Sequence, residues 1–172
     1  MGKALGGALA LLVLWPSVVF ADEFDDLIAQ LGDKDHEKRR EAEEALQERV
    51  GPEDLPRLEK AIGGTDYNVN YAVIRTIEKV GGEGAIAVLR KLLQGENPTL
   101  AYYAYLSLVR MKDDWSVDYV LELLSDPEVA EVRKQNLVNA LYGIPNDRAL
   151  PVLRTLLEGA KNDYLRTRVV QL

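Results

Sequence analysis

Residues 53–80 read Glu53-Asp-Leu-Pro-Arg-Leu-Glu-Lys-Ala-Ile-Gly-Gly-Thr-Asp-Tyr-Asn-Val-Asn-Tyr-Ala-Val-Ile-Arg-Thr-Ile-Glu-Lys-Val80, two apolar runs parted by a turn. Leu55, Leu58 and Ile62 fall on one face in the first run, and Val69, Val73, Ile77 and Val80 on one face in the second. Both follow the three-and-four spacing of an amphipathic helix, and the alternation of a strand is missing. The stretch therefore predicts a helical hairpin. Outward from it the same pattern returns. Leu31, Leu46, Leu58, Ile62, Ile77, Leu89, Leu93, Leu108, Val120, Leu124, Leu141, Leu153, Leu157 and Leu172 fall into three columns that recur every 31 residues, with one slip to 33 between Leu124 and Leu141. A fixed period of this size marks stacked repeats, each too small to bury its own apolar face.

The punctuation repeats as well. Gly51, Gly82, Asp113 and Asn146 form one turn column, and Asp33, Gly64, Gly95, Asp126 and Gly159 form another. Asp35, Asp66 and Asn97 stand 11 residues before the Leu46-type column, placed to accept from the free amides that open a second helix. The predicted pairs are 24–32 with 36–49, 53–63 with 67–80, 84–94 with 98–111, 116–125 with 127–142, and 147–159 with 163–172. The two additional residues of the fourth unit lie near Asp126-Pro127, where a proline at the first helical position is expected to lengthen the second helix at its start. The second helix of the first unit, His36 to Val50, carries few large apolar side chains beyond Leu46 and Val50, as an end repeat facing water requires.

The helix pairs, the turn columns, Arg39-x-x-Ala42-x-x-Ala45-Leu46, and Val132-Arg133 running on to Ala140-Leu141 together resemble the HEAT-like repeat family, in its short bacterial form of about 30 residues also seen in phycobilisome bilin lyases. The resemblance covers roughly residues 24–172. It implies an all-α superhelix of about five two-helix repeats, curved and right-handed, with second helices lining the concave side. A tetratricopeptide array fits poorly, since its 34-residue period and tryptophan, tyrosine and proline pattern are missing.

Residues 1–21 carry Lys3, an apolar run from Ala4 to Trp15, Pro16, and Val19-Phe20-Ala21 ahead of an acidic start at Asp22. These are the parts of a secretory signal cleaved after Ala21, which would place a domain of residues 22–172 in the periplasm or outside the cell. An uncleaved anchor is the alternative reading. The 172-residue chain has no cysteine, so neither a disulfide framework nor a lipidated cysteine is available. Cleavage would leave 20 basic and 28 acidic side chains, a balance that opposes binding to a nucleic acid backbone.

Catalytic material is scarce: no phosphate loop, no metal-ligand spacing, and a lone histidine, His36, at the start of a charged helix. The acidic pairs Asp25-Asp26, Glu43-Glu44 and Asp113-Asp114 read as helix starts or solvated faces rather than as an acid–base pair or a calcium site. The expectation is a protein without catalytic, cofactor or metal residues.

The second helix of the third unit is different. A wheel centred on Ala104 buries Leu100, Ala104, Ser107, Leu108 and Met111, yet the opposite side holds Tyr102, Leu106 and Val109 where polar residues belong. A helix apolar all round is normally covered on both sides. The equivalent positions are Tyr71, Arg75 and Glu78 in the second unit, Gln135, Asn139 and Tyr142 in the fourth, and Arg166 with Val170 in the fifth. The stripe of Tyr71, Arg75, Tyr102, Leu106, Val109, Gln135, Asn139 and Tyr142 has an apolar middle and polar ends, the composition of an interface core within its rim. It predicts a groove for a protein or peptide partner. Tyr103 and Tyr105 are expected to point sideways between repeats, and Trp115 to plug a junction. Two other expectations come from different classes: an accessory protein resembling the bilin lyases, and self-association through the carboxyl-terminal repeat.

Overall fold

The computed structural model describes residues 15–143, 146–159 and 167. The expected helix 163–172, with Arg166, Val170 and Leu172, lies outside the described residues, as does the Tyr142 side chain. Helices follow one another in chain order: α1 (Trp15–Gln30), α2 (His36–Arg49), α3 (Leu55–Ala61), α4 (Tyr67–Val80), α5 (Gly82–Gln94), α6 (Pro98–Arg110), α7 (Asp114–Ser125), α8 (Glu131–Val138) and α9 (Asn146–Gly159). Among the described residues there is no strand, and no helix is long and apolar enough to cross a membrane.

The helices form two layers. In one, α2 packs on α4, α4 on α6, and α6 on α8; in the other, α3 packs on α5 and α7 on α9. Within a unit the partners lie against each other, as in α1 with α2, α3 with α4, α5 with α6 and α7 with α8. Repeats stacked side by side in this way make an all-α helical solenoid.

The apolar ladder is the glue between the layers. Leu31, Leu46, Leu58, Ile77, Leu89, Leu93, Leu108, Val120, Leu124 and Leu141 are all buried, while Ile62 is half-buried. In the fifth unit the burial shifts by one residue: Val152 and Leu156 are buried on α9, and Leu153 and Leu157 are half-buried.

Helix starts follow the expected caps. Asp35 accepts from the Glu37 amide at 2.9 Å, Asp66 from those of Asn68 and Val69 at 2.8 and 3.3 Å, and Asn97 from those of Thr99 and Leu100 at 3.0 and 3.2 Å. Between α4 and α5 the chain turns on Gly81 and Gly82, both at φ 73°. That left-handed conformation costs a glycine little and other residues more.

Three expectations are corrected. The run 53–63 is not one helix, because the amide of Gly51 donates to the Asp54 carboxylate at 3.0 Å, and a 3₁₀ turn over Pro52–Asp54 precedes α3. The two additional residues of the fourth unit do not lengthen α8. The Asp126 carboxylate accepts from the Glu128 amide at 2.8 Å and the Val129 amide donates to the Asp126 carbonyl at 3.3 Å. That closed turn delays α8 to Glu131, and at its other end a 3₁₀ turn over Asn139–Gly143 replaces the last α-helical residues. Finally, Met111 is half-buried rather than buried, since it caps α6 where the chain leaves the core.

Candidate interaction surface

The second helices share a turn-holding device. From α2, Nη1 of Arg39 donates to the carbonyls of Asp33 and Lys34 at 2.7 and 3.0 Å. One repeat on, Asn70 does the same work with a shorter side chain: Nδ2 donates to the Gly64 carbonyl at 2.9 Å and Oδ1 accepts from the Gly63 amide at 3.0 Å. The third repeat has Ala101 in this place and nothing to reach with. Its turn is held from the next repeat instead, by Nη2 of Arg133, which donates to the Gln94 carbonyl at 3.2 Å. Where the side chain is missing an apolar cleft of about 270 Å³ opens, walled by Leu93, Pro98, Ala101, Val132 and Leu137, with Val132 68% exposed.

On α6 the buried side holds Leu100, Ala104, Ser107 and Leu108 as expected, joined by Ala101 and Tyr105. Tyr102, Leu106 and Val109 are half-buried and lie opposite. Leu106 and Val109 pack partly against the core and leave the rest of their surface open.

Tyr102 belongs to a cluster of four phenols across α4 and α6. The rings of Tyr67 and Tyr71 are parallel at 6.3 Å. Tyr103 meets both edge-on, at 5.6 and 5.2 Å, and Tyr102 meets Tyr103 edge-on at 5.4 Å. The hydroxyls of Tyr67 and Tyr103 share a hydrogen bond. Burial, and then that bond, pushes the Tyr103 phenol above its ordinary value. Such edge-to-face contacts add about 0.5–1.5 kcal/mol each to burial alone. Tyr103 thus bridges two repeats as expected, but on the open side of the layer. Tyr105 is the true core tyrosine: it is 0% exposed, and its hydroxyl has no hydrogen-bond partner among the described residues.

Charge runs beside the phenols. Nε of Arg75 lies 4.0 Å from the Glu43 carboxylate on α2. Both Nε and Nη2 of Arg110 donate to Glu78 on α4, at 2.8 and 2.7 Å. Both pairs join residues 32 apart in adjacent repeats, and Arg57–Asp25 and Lys91–Glu59 do the same in the other layer.

The structure therefore brings Tyr71 and Tyr102 together through Tyr103, and places Arg75, Leu106 and Val109 on the same two helices. Gln135 and Asn139 are half-buried on α8 and on the 3₁₀ turn that follows, both of which pack against α6. Two members of the patch, Tyr67 and Tyr103, were outside the expected stripe. The signal for Tyr67 is its spacing of four from Tyr71, which stacks two rings on one helix face.

Trp115 does plug a junction. It stacks on Tyr119 at 5.0 Å, and the Arg90 guanidinium lies 4.8 Å over its ring. That guanidinium also donates to the buried Asp113 carboxylate, which accepts from the Ser116 amide at 3.1 Å.

Among the described residues no group of three or more His, Cys, Asp or Glu could hold a metal ion. A family model for HEAT repeats matches residues 24–100 and again 89–172. No curated protein matches the chain.

Proposed function

This chain belongs to the HEAT-repeat family, whose members are helical scaffolds that generally mediate protein interactions without catalysis, and from that premise we propose that it is an exported interaction module docking a protein or peptide across its second-helix layer. One observation carries the reading. On α6, fully buried Ala104 and Leu108 are backed by Tyr102, Leu106 and Val109, apolar side chains half open to solvent and continuous with the phenols of α4. A lone exposed leucine means nothing, but a contiguous apolar and tyrosine-rich patch edged by paired charges is how an interface core is built.

Tyrosine suits the task, because it offers a large apolar face and a hydroxyl at low entropic cost. Replacing Tyr102, Leu106 and Val109 together with serine should abolish capture of envelope proteins by the immobilised chain while helicity is kept. Undiminished capture removes the patch from consideration.

Export rests on residues 1–21. Helix α1 runs across the Ala21–Asp22 bond, so cleavage there would leave a helix opening on Asp22-Glu23, acids that meet the positive end of its dipole. Amino-terminal sequencing of the exported chain should begin at Asp22. A periplasmic or secreted location follows from that result, and retention of Met1 in a membrane fraction would replace it with an anchor.

A further inference from the structure

The electron-rich rings of this chain are not equally open to oxidation. Tyr105 is 0% exposed. Trp115 is half-buried, with the Arg90 guanidinium 4.8 Å over its ring, and a cation held there opposes withdrawal of an electron from the indole. Tyr119 is covered on one face by Trp115, and its hydroxyl accepts from Nη2 of Arg133 at 3.3 Å. Tyr67 is placed differently. It is the first residue of α4 and 53% exposed, and its hydroxyl shares a hydrogen bond with that of Tyr103 on α6. The two rings stand 5.6 Å apart at 75°. Phenols joined through their hydroxyls also bring together the ring carbons beside those hydroxyls, the Cε atoms, and these are where phenoxyl radicals couple. The two residues are 36 positions apart and belong to adjacent repeats.

We propose that Tyr67 and Tyr103 form an oxidative cross-linking site, at which a haem peroxidase fed with hydrogen peroxide creates a Cε–Cε bond that staples the second repeat to the third. The peroxidase takes an electron from exposed Tyr67 and the hydroxyl proton leaves with it, which gives a phenoxyl radical. Having lost its hydrogen, that oxygen is purely an acceptor, so the shared bond runs from the Tyr103 hydroxyl. Transfer of the hydrogen atom along it moves the radical to Tyr103 and restores Tyr67 for a second oxidation. The two radicals couple, and the hydrogen on each coupled carbon moves to its own oxygen, so both phenols return. In sum the chain loses two hydrogens, and one hydrogen peroxide takes two electrons and two protons to become two waters. The product constrains the unfolded chain as a disulfide would, in a sequence that has no cysteine. Nothing in this step requires a partner docked on the second-helix layer.

The test exposes the full chain, in dilute solution, to a haem peroxidase and hydrogen peroxide. Mass spectrometry should find a monomer lighter by two hydrogens, with the blue fluorescence of dityrosine. Fragmentation of the joined tryptic peptides 61–75 and 92–110 should put the bond on Tyr67 and Tyr103. Tyr67→Phe and Tyr103→Phe should each abolish the product, and Tyr119→Phe should leave its yield unchanged. Tyr67 is exposed, so its phenylalanine variant keeps the fold, which circular dichroism checks. Thermal melting of the cross-linked chain should rise by roughly 5–10 °C. A bond on another pair of tyrosines, or no bond at all, overturns the site. A covalent dimer as the main product gives the phenols to a second copy of the chain and overturns the staple. A bond at this pair that leaves the melt where it was overturns the staple as well.

Discussion

Ala130 stands where the earlier repeats have Asp35, Asp66 and Asn97, and it caps α8 without a side-chain bond. Its backbone, at φ −55° and ψ 135°, already has the extended conformation of a helix cap. Ala130→Asp should therefore stabilise the protein by about 1 kcal/mol. A thermal melt should rise by about 2–4 °C. Asp66→Ala should move it by as much in the other direction. Glu78 makes a pH-dependent contribution. Burial alone would raise its carboxyl, but the two donors of Arg110, with Ser107 and Arg75 nearby, outweigh this and hold it below the ordinary 4.5. A folded value below the unfolded one means stabilisation that is complete above 4.5 and is lost as pH falls through the folded value. Melting temperature against pH should show Glu78→Gln below the native chain at neutrality, and the gap closing in acid.

At the scale of helices, the α5–α7 junction is held by a stack of unlike groups: Asp113 under Arg90, Arg90 over Trp115, Trp115 against Tyr119. Trp115 is half-buried, so Trp115→Ala should cost roughly 2 kcal/mol, less than a fully buried tryptophan would. Denaturant unfolding measures it. Most of the element order was legible in the sequence, because the 31-residue period locks each helix to its neighbours and one misread boundary cannot shift the rest. The misreadings fall where side chain and backbone compete locally. Pro127 suggested a helix start, yet the Asp126 carboxylate captured the Glu128 amide first and kept the segment as a turn. The stripe on α6 was legible from Tyr102, Leu106 and Val109, since a wheel shows which side lacks polar residues. Tyr67 was not, because it joins the patch through Tyr103 on another helix, and helical spacing says nothing of contacts between helices.

For the whole molecule, burial is uneven. Helices α4 and α6 each bury six residues, whereas α2 buries Ala42 and Leu46 alone. Stability in a stacked array is a sum over units and their neighbours, so it should peak at the middle repeats. Hydrogen exchange should find the amides of α4 to α6 slowest and those of α2 several-fold or more faster; uniform protection would mean the array melts as one block. Repeats one and two each hold their own interhelical turn, through Arg39 and Asn70, while the third borrows Arg133 from its successor. In an engineered array, then, the first two carry the side chain that ties their own turn with them when they are duplicated or moved. The third and fourth have to be moved as a pair, and a truncation between them would leave a loose hinge at Gln94.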